Sequence, residues 1–346
     1  MLNLPSTNDP LRRRFAACLL GGAIGDALGF PIEFLSTDQI LERHGSDGLR
    51  EFIPEGGLAR VSDDTQMTYL TLLSLVRHGH DQDPLTFQKE LFDIYREWGR
   101  IQRRSIPAPP DYPVFLTKLR SPGFTCMKNL TYYALPSSLE RPRNDSKGCG
   151  GIMRVAPIGF LDIGPEKVAL LAILASSCTH GHPLGYLPSA VQACAVQRLV
   201  FHPETSVRDA VGDAVETVGR LLRSGGHPEL SRDRVLEEWG LLVALLEKAV
   251  CLAENPSDVR TDIEKLGQGW VAEETLAIAV YCSIRFENDF RSAICSSANF
   301  SGDSDSCAAV TGNLLGAKTD PDVMARAFDV DILESADELV SLVKML

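Results

Sequence analysis

Gly21-Gly22-Ala23-Ile24-Gly25-Asp26-Ala27-Leu28-Gly29 lies inside the first long helical run of the chain. Each glycine in a helix interior costs about 1 kcal/mol relative to alanine, so four of them here need a reason. Gly21, Gly25 and Gly29 fall at four-residue spacing on one helix face, which suits close approach by a second helix. Pro31-Ile32-Glu33 follows at once and places an acidic side chain just beyond the helix end.

Outward from this run, apolar residues recur at three- and four-residue spacing and sustained alternation is scarce. The pattern predicts an all-α chain, with helices near 11–28, 64–77, 84–99, 166–177, 183–200, 206–222, 233–252, 271–286 and 304–315, and one or two more near 321–328 and 332–346. The stretch 100–151 is rich in Pro, Ser and Gly and reads as a long loop entering a binding site, because loops of that length inside compact domains are functional or disordered. A second, weaker break is expected at 255–269. Neither break separates two self-sufficient cores, so one domain is expected over 15–346, preceded by an N-terminal extension over 1–14.

With 346 residues, 44% of them apolar and 23% charged, the composition is that of a globular protein able to bury a large core. A net charge of −12 argues against the phosphate backbone of nucleic acid as a partner. No apolar run was expected to cross a membrane. The N-terminus lacks a basic segment leading into an apolar one, so the expected location is the cytoplasm. Nine scattered cysteines without a Cys-x-x-Cys pair fit a reducing compartment.

Two acidic hydroxyl clusters carry the chemistry: Ser62-Asp63-Asp64-Thr65, and Ser301-Gly302-Asp303-Ser304-Asp305-Ser306. Each reads equally as a helix N-cap in front of an apolar run, and capping does not preclude metal binding. Their carboxylates and hydroxyls are the hard oxygen donors that Mg²⁺, Mn²⁺ or Ca²⁺ prefers. If the clusters meet, Asp63, Asp64, Asp303 and Asp305 repel one another by roughly 4 kcal/mol per pair at about 4 Å and an effective dielectric near 20. Such a site calls for about two divalent cations.

Gly148-Cys149-Gly150-Gly151 is a glycine-rich turn that is either a backbone cradle for an anion or a plain turn. It lacks the Walker A ending and the dinucleotide fingerprint. Thr179-His180-Gly181-His182-Pro183 holds two histidines between helices, suited to ligand hydrogen bonding or capping more than to zinc. The chain has no Gly-x-Ser-x-Gly elbow, which leaves metal-assisted hydrolysis as the chemistry these residues best support.

Taken in order, Gly25-Asp26-Ala27-Leu28-Gly29 with Pro31 and Glu33, Ser62-Asp63-Asp64-Thr65-Gln66-Met67-Thr68, Gly148-Cys149-Gly150-Gly151 with Met153-Arg154-Val155-Ala156-Pro157, Thr179-His180, Gly269-Trp270-Val271-Ala272-Glu273-Glu274 and Gly302-Asp303-Ser304-Asp305-Ser306 resemble the ADP-ribosylglycohydrolase family over nearly the whole chain. The resemblance implies an all-α orthogonal multi-helix bundle with two Mg²⁺ (or Mn²⁺) at the base of a cleft. It implies Ser62, Asp63, Asp64, Asp303, Asp305 and Ser306 as metal ligands, Asp305 bridging. It further implies Asp63 or Asp64 as the group handling the attacking water, and Glu33 as a gate or acid/base. Gly148, Gly150 and Gly151 would meet the diphosphate and His180 the ribose or phosphate region, with Trp270 either near the ligand or in the core. Cys149 stands where many members carry Asn, a departure that touches hydrogen bonding in the loop.

The implied activity is removal of mono-ADP-ribose from a modified protein side chain, most readily arginine-linked, reversing a regulatory or toxin-catalysed modification. Two alternatives remain open at this point. One is an immunity or inhibitor protein that occludes an ADP-ribosylating toxin through residues 1–14. The other is a hydrolase of another linkage, serine-linked ADP-ribose or O-acetyl-ADP-ribose.

Overall fold

The computed structural model describes every residue except 1, 3, 7 and 80–82. Among the described residues the regular structure is helical: fifteen α-helices, five short 3₁₀ turns and three isolated β-bridges. The first helix, α1 (Pro10–Gly29), begins behind an Asp9 cap with proline in its first turn, where the missing N–H costs nothing. From Phe15 onward it is buried on every side. Contrary to the sequence reading, its segment is long and apolar enough to cross a membrane, with a mean hydropathy of 1.6 over an 18-residue window. That window is 89% buried in the fold, so the apolarity belongs to a core helix.

The partner that buries it is α13 (Ser304–Gly316). The two run antiparallel in a small-residue register: Gly21 against Gly312, Gly25 against Ala308, Gly29 against Asp305 and Ala17 against Gly316. A Cβ on Gly21, Gly25, Gly29, Gly312 or Gly316 would enter the van der Waals shell of backbone atoms on the other helix. Close backbone approach is therefore the return for the helix propensity that these glycines forfeit.

Around this pair lie α3 (Asp63–His78), α4 (Pro84–Gln102), α6 (Pro165–Ser177), α7 (Pro183–Phe201), α8 (Val207–Arg223), α9 (Asp233–Glu254), α11 (Ala272–Arg285), α14 (Pro321–Ala327) and α15 (Ala336–Val343). All but the last agree with the expected helices to within a few residues. The last is shorter than the expected 332–346: a 3₁₀ turn, Val330–Ile332, ends at its first residue, and the helix begins only at Ala336.

Four helices escaped the sequence reading. They are α2 (Thr37–His44), α5 (Phe124–Tyr132), α10 (Val259–Leu266) and α12 (Phe290–Ala298), each of eight or nine residues. The stretch 100–151 is accordingly not one loop, and 255–269 holds a helix where a break was expected. The line drawn after residue 14 runs through the first turns of α1, where Arg14 Nε donates to Val200 O at 2.6 Å. Leu2 and Leu4 pack against the core. Met1, Asn3 and Thr7 of the expected extension lie outside the described residues.

Candidate functional site

α1 organises the two acidic clusters. Asp26, three residues before its C-terminal glycine, is fully buried. Its carboxylate accepts from Ser62 N at 2.9 Å, from Thr65 N at 3.0 Å and from the Thr65 hydroxyl at 2.5 Å. This pins the N-terminus of α3. Gly29, at the same C-terminal end of the helix, lets that end sit against the backbone of Asp305. One helix thus brings together clusters that are about 240 positions apart.

Each cluster is also a cap. Ser62 caps α3 by accepting from Asp64 N at 3.1 Å, and Asp303 caps α13 by accepting from Ser306 N at 3.2 Å. Asp305 Oδ1 accepts from Ser306 N as well, at 3.0 Å. Asp63 is steadied by Gly123 N, which donates to Oδ2 at 3.3 Å. The remaining oxygens face a cleft of about 200 Å³ lined by Glu33, Asp63, Asp64, Asp303, Asp305 and Ser306. Ser62 is fully buried behind this wall.

The opposite wall comes from the glycine turn and from the Gly269-Trp270 segment. Cys149 N donates to Trp270 O at 3.3 Å and Ala272 N to Lys147 O at 2.8 Å, which stitches the two together. Asp303 N donates to Gln268 O at 2.8 Å and ties the same segment to α13. Gly148, Cys149 and Gly150 line the cleft; Gly151 does not, being packed on Gly185 and Ser176. The Gly151 backbone serves the contact with α6 and α7. Gly150 is required, because a Cβ there would lie 2.7 Å from Cys126 Sγ and 3.0 Å from the His180 ring.

His180 lines the cleft, buried, with Nδ1 hydrogen-bonded to the Thr179 hydroxyl at 2.8 Å. Arg154 Nη2 donates to that hydroxyl at 2.7 Å. Burial first, and the Arg154 charge second, push His180 down to about 3, so its ring is neutral at ordinary pH. His182 is elsewhere, capping α7 by accepting from Leu184 N at 3.0 Å. Trp270 stands at the rim, 39% exposed, and stacks on Phe34 with ring centroids 5.9 Å apart.

The cleft is electrostatically strained. Burial, then the charges of Asp303, Asp63 and Asp26, pushes Glu33 up to about 8. Burial is also the main cause for Asp63, raised to about 8, and for Asp64 and Asp305, both raised well above the usual carboxylate range. Asp64 Oδ2 and Glu33 Oε2 are buried without a hydrogen-bond partner. As they stand, no three His, Cys, Asp or Glu side chains among the described residues close on a single point. The donor chemistry fits hard divalent cations all the same: clustered carboxylates, an orphaned buried oxygen and the added hydroxyls of Ser62 and Ser306. A larger cavity of about 390 Å³, lined by Gln197, Arg198, Asp213 and Arg220 among others, has its arginines already paired with acids and holds no such cluster.

Three contributors were missed from sequence. In sequence Asp26 stands only as part of a glycine motif, although a carboxylate in a helix buried all round is itself an anomaly. Phe34 and Phe124, both exposed, flank the cleft or its rim, and no local pattern signals them.

The family model of ADP-ribosylglycohydrolase matches residues 7–344. The chain is 26% identical over 335 residues to "ADP-ribosylhydrolase ARH3" of Homo sapiens, covering 88% of this chain and 85% of that one. It is 25% identical over 205 residues to "ADP-ribosyl-[dinitrogen reductase] glycohydrolase" of Rhodospirillum rubrum, covering 57% and 59%. A solved structure described as "ADP-ribosylglycohydrolase-related protein complex" superposes with a TM-score of 0.59 at 22% identity, covering 98% of this chain and 99% of that one.

Proposed function

The chain belongs to the ADP-ribosylglycohydrolase family, and from that premise we propose that it removes mono-ADP-ribose from a modified protein side chain, with the arginine-linked form as its substrate. The family and its relatives support an ADP-ribosyl hydrolase; the linkage and the metals are our reading. The observation that carries it is the convergence of Glu33, Asp63, Asp64, Asp303 and Asp305 in one cleft.

Ser62, Asp63, Asp64, Asp303, Asp305 and Ser306 are the residues that would hold two Mg²⁺ or Mn²⁺. Such ions supply a template for ribose hydroxyls and ease deprotonation of a water. The side chains do the rest. Asp63 or Asp64 orients the water and takes its proton as the oxygen attacks C1″. Glu33, which lines the cleft beside them, gives a proton to the departing nitrogen. Neutral His180 offers a hydrogen bond without adding charge, and the backbone of Gly148 and Gly150 faces the diphosphate.

Two features favour arginine. The cleft is acidic, and the Phe34–Trp270 pair at its rim offers an aromatic face on which a planar guanidinium stacks. Leu2 and Leu4, within the segment 1–14 expected to occlude a partner, pack on this chain's own core. We therefore keep the hydrolase reading alone.

The test is release of free ADP-ribose from an arginine-ADP-ribosylated protein with Mg²⁺, Mn²⁺ or EDTA, comparing wild type with Asp305→Ala. Metal-dependent release that the substitution abolishes supports the reading. No release by folded, metal-supplied wild type sinks it.

A further inference from the structure

The cleft contains a sulfur donor among its oxygens. Cys149 opens the 3₁₀ turn Cys149–Arg154, and its thiol donates to Asp303 Oδ2 at 2.8 Å. Its place is fixed from both sides: its own N–H is bound to Trp270 O, and the next residue, Gly150, is wedged between Cys126 and His180. Asp64 and Ser306 line the same cleft. Asp64 is 3% exposed and its Oδ2 is buried without a partner, which marks the place as one where a positive group is wanted.

We propose that Cys149 Sγ and Asp303 Oδ2 form a donor pair for a thiophilic divalent cation, Zn²⁺ or Cd²⁺, which competes with the hard cations for this cleft. The inference rests on reading the cleft as a cation site and goes beyond it in naming a sulfur ligand and a second class of ion. Softness decides the preference: thiolate selects zinc-like ions, whereas carboxylate and hydroxyl alone select magnesium-like ones. With Zn–S near 2.3 Å and Zn–O near 2.0 Å, adjacent donors on a tetrahedral ion stand about 3.5 Å apart. The present pair, at 2.8 Å, therefore needs to open by only a fraction of an ångström, and Asp64 lines the same cleft. Binding replaces the S–H bond with a sulfur–metal bond, and the proton leaves to buffer.

The full-length chain carrying Cys251→Ser, which removes the exposed thiol, is freed of metal and titrated with Cd²⁺ while sulfur-to-cadmium absorption is followed in the near ultraviolet. The expected result is a saturable band that Cys149→Ser removes and that Asp303→Asn weakens by more than about tenfold. Thermal unfolding confirms that each variant folds. A band that survives Cys149→Ser, or no band at all, overturns the proposal. Mn²⁺ binding, read separately by electron paramagnetic resonance, keeps the two readings apart: bound Mn²⁺ without a cadmium band overturns the sulfur ligand alone, and neither signal overturns both.

Discussion

Gly21 and Gly312 face each other so closely across the α1–α13 contact that a Cβ on either would overlap the other's carbonyl oxygen. Gly312→Ala gains about 1 kcal/mol of helix propensity, but the atom it strikes is backbone and cannot rotate away. Overpacking of this kind costs about 1–3 kcal/mol, at the upper end where backbone is struck, so the expected net effect is a loss of about 1–2 kcal/mol in urea unfolding. Gly240→Ala is the opposite case. It sits exposed within α9 with nothing within 4 Å of its would-be Cβ, and stabilisation by about 0.5–1 kcal/mol is expected. Equal effects at the two sites would refute the packing argument.

Asp26 never reaches the cleft yet holds one wall of it. Asp26→Asn keeps the shape but offers an NH₂ group where Ser62 N, Thr65 N and the Thr65 hydroxyl all donate. Losing charge-assisted bonds and stranding a buried donor costs about 2–4 kcal/mol together. Because α3 begins with Asp63 and Asp64, the substitution should also lower kcat for ADP-ribose release more than it raises KM. A variant with wild-type stability and kcat would show that Asp26 does not position the cluster.

What the sequence disclosed follows from range. The caps at Ser62 and Asp303 were legible because a cap and the apolar run behind it are contiguous. The long helices were legible because their periodicity spans several turns. The short helix α2 carried its own signal, a Ser36/Gln39 capping box, but its single buried position, Ile40, gives periodicity nothing to repeat. Asp26 could not be assigned a partner because its partners lie 36 to 39 residues away. The Cys149 contact with Asp303 spans 154 residues and was invisible for the same reason. Gly148, Gly150 and Gly151 look alike in sequence, and only the fold separates the two that line the cleft from the one packed on α6 and α7.

Asp262, fully buried on α10, should give the protein an acid-sensitive joint. Burial alone would raise its pKa, but hydrogen bonds from Ser257, Lys265 and Tyr281 outweigh it and hold the carboxyl below the usual range. Arg285 on α11 also donates, at 3.3 Å. With the folded pKa below the unfolded value of about 3.9, the contribution to stability is complete above about pH 4 and is lost as pH falls toward the folded value. Asp262→Asn should therefore cost about 2–4 kcal/mol near neutrality, and the gap from wild type should narrow in acid. A gap that stays constant from pH ~7 to ~3 would exclude this carboxylate as the source.

The acidic cleft sets up effects of opposite sign at Asp305. Its carboxylate is buried and then pressed further by Asp64, Asp303 and Glu33, so without cations it opposes folding. Asp305→Asn should raise the melting temperature in EDTA. With cations the balance reverses, because a ligand at about 100 times its Kd adds about 2.7 kcal/mol to the state that binds it. Wild type should gain that increment with Mn²⁺, and Asp305→Asn should gain much less. The crossing matters more than either shift alone, since a merely structural aspartate would destabilise when replaced in both buffers. Melting curves for the two chains, each with EDTA and with Mn²⁺, decide the point. Loss of stability in EDTA together with an undiminished Mn²⁺ shift would remove Asp305 from the cation site.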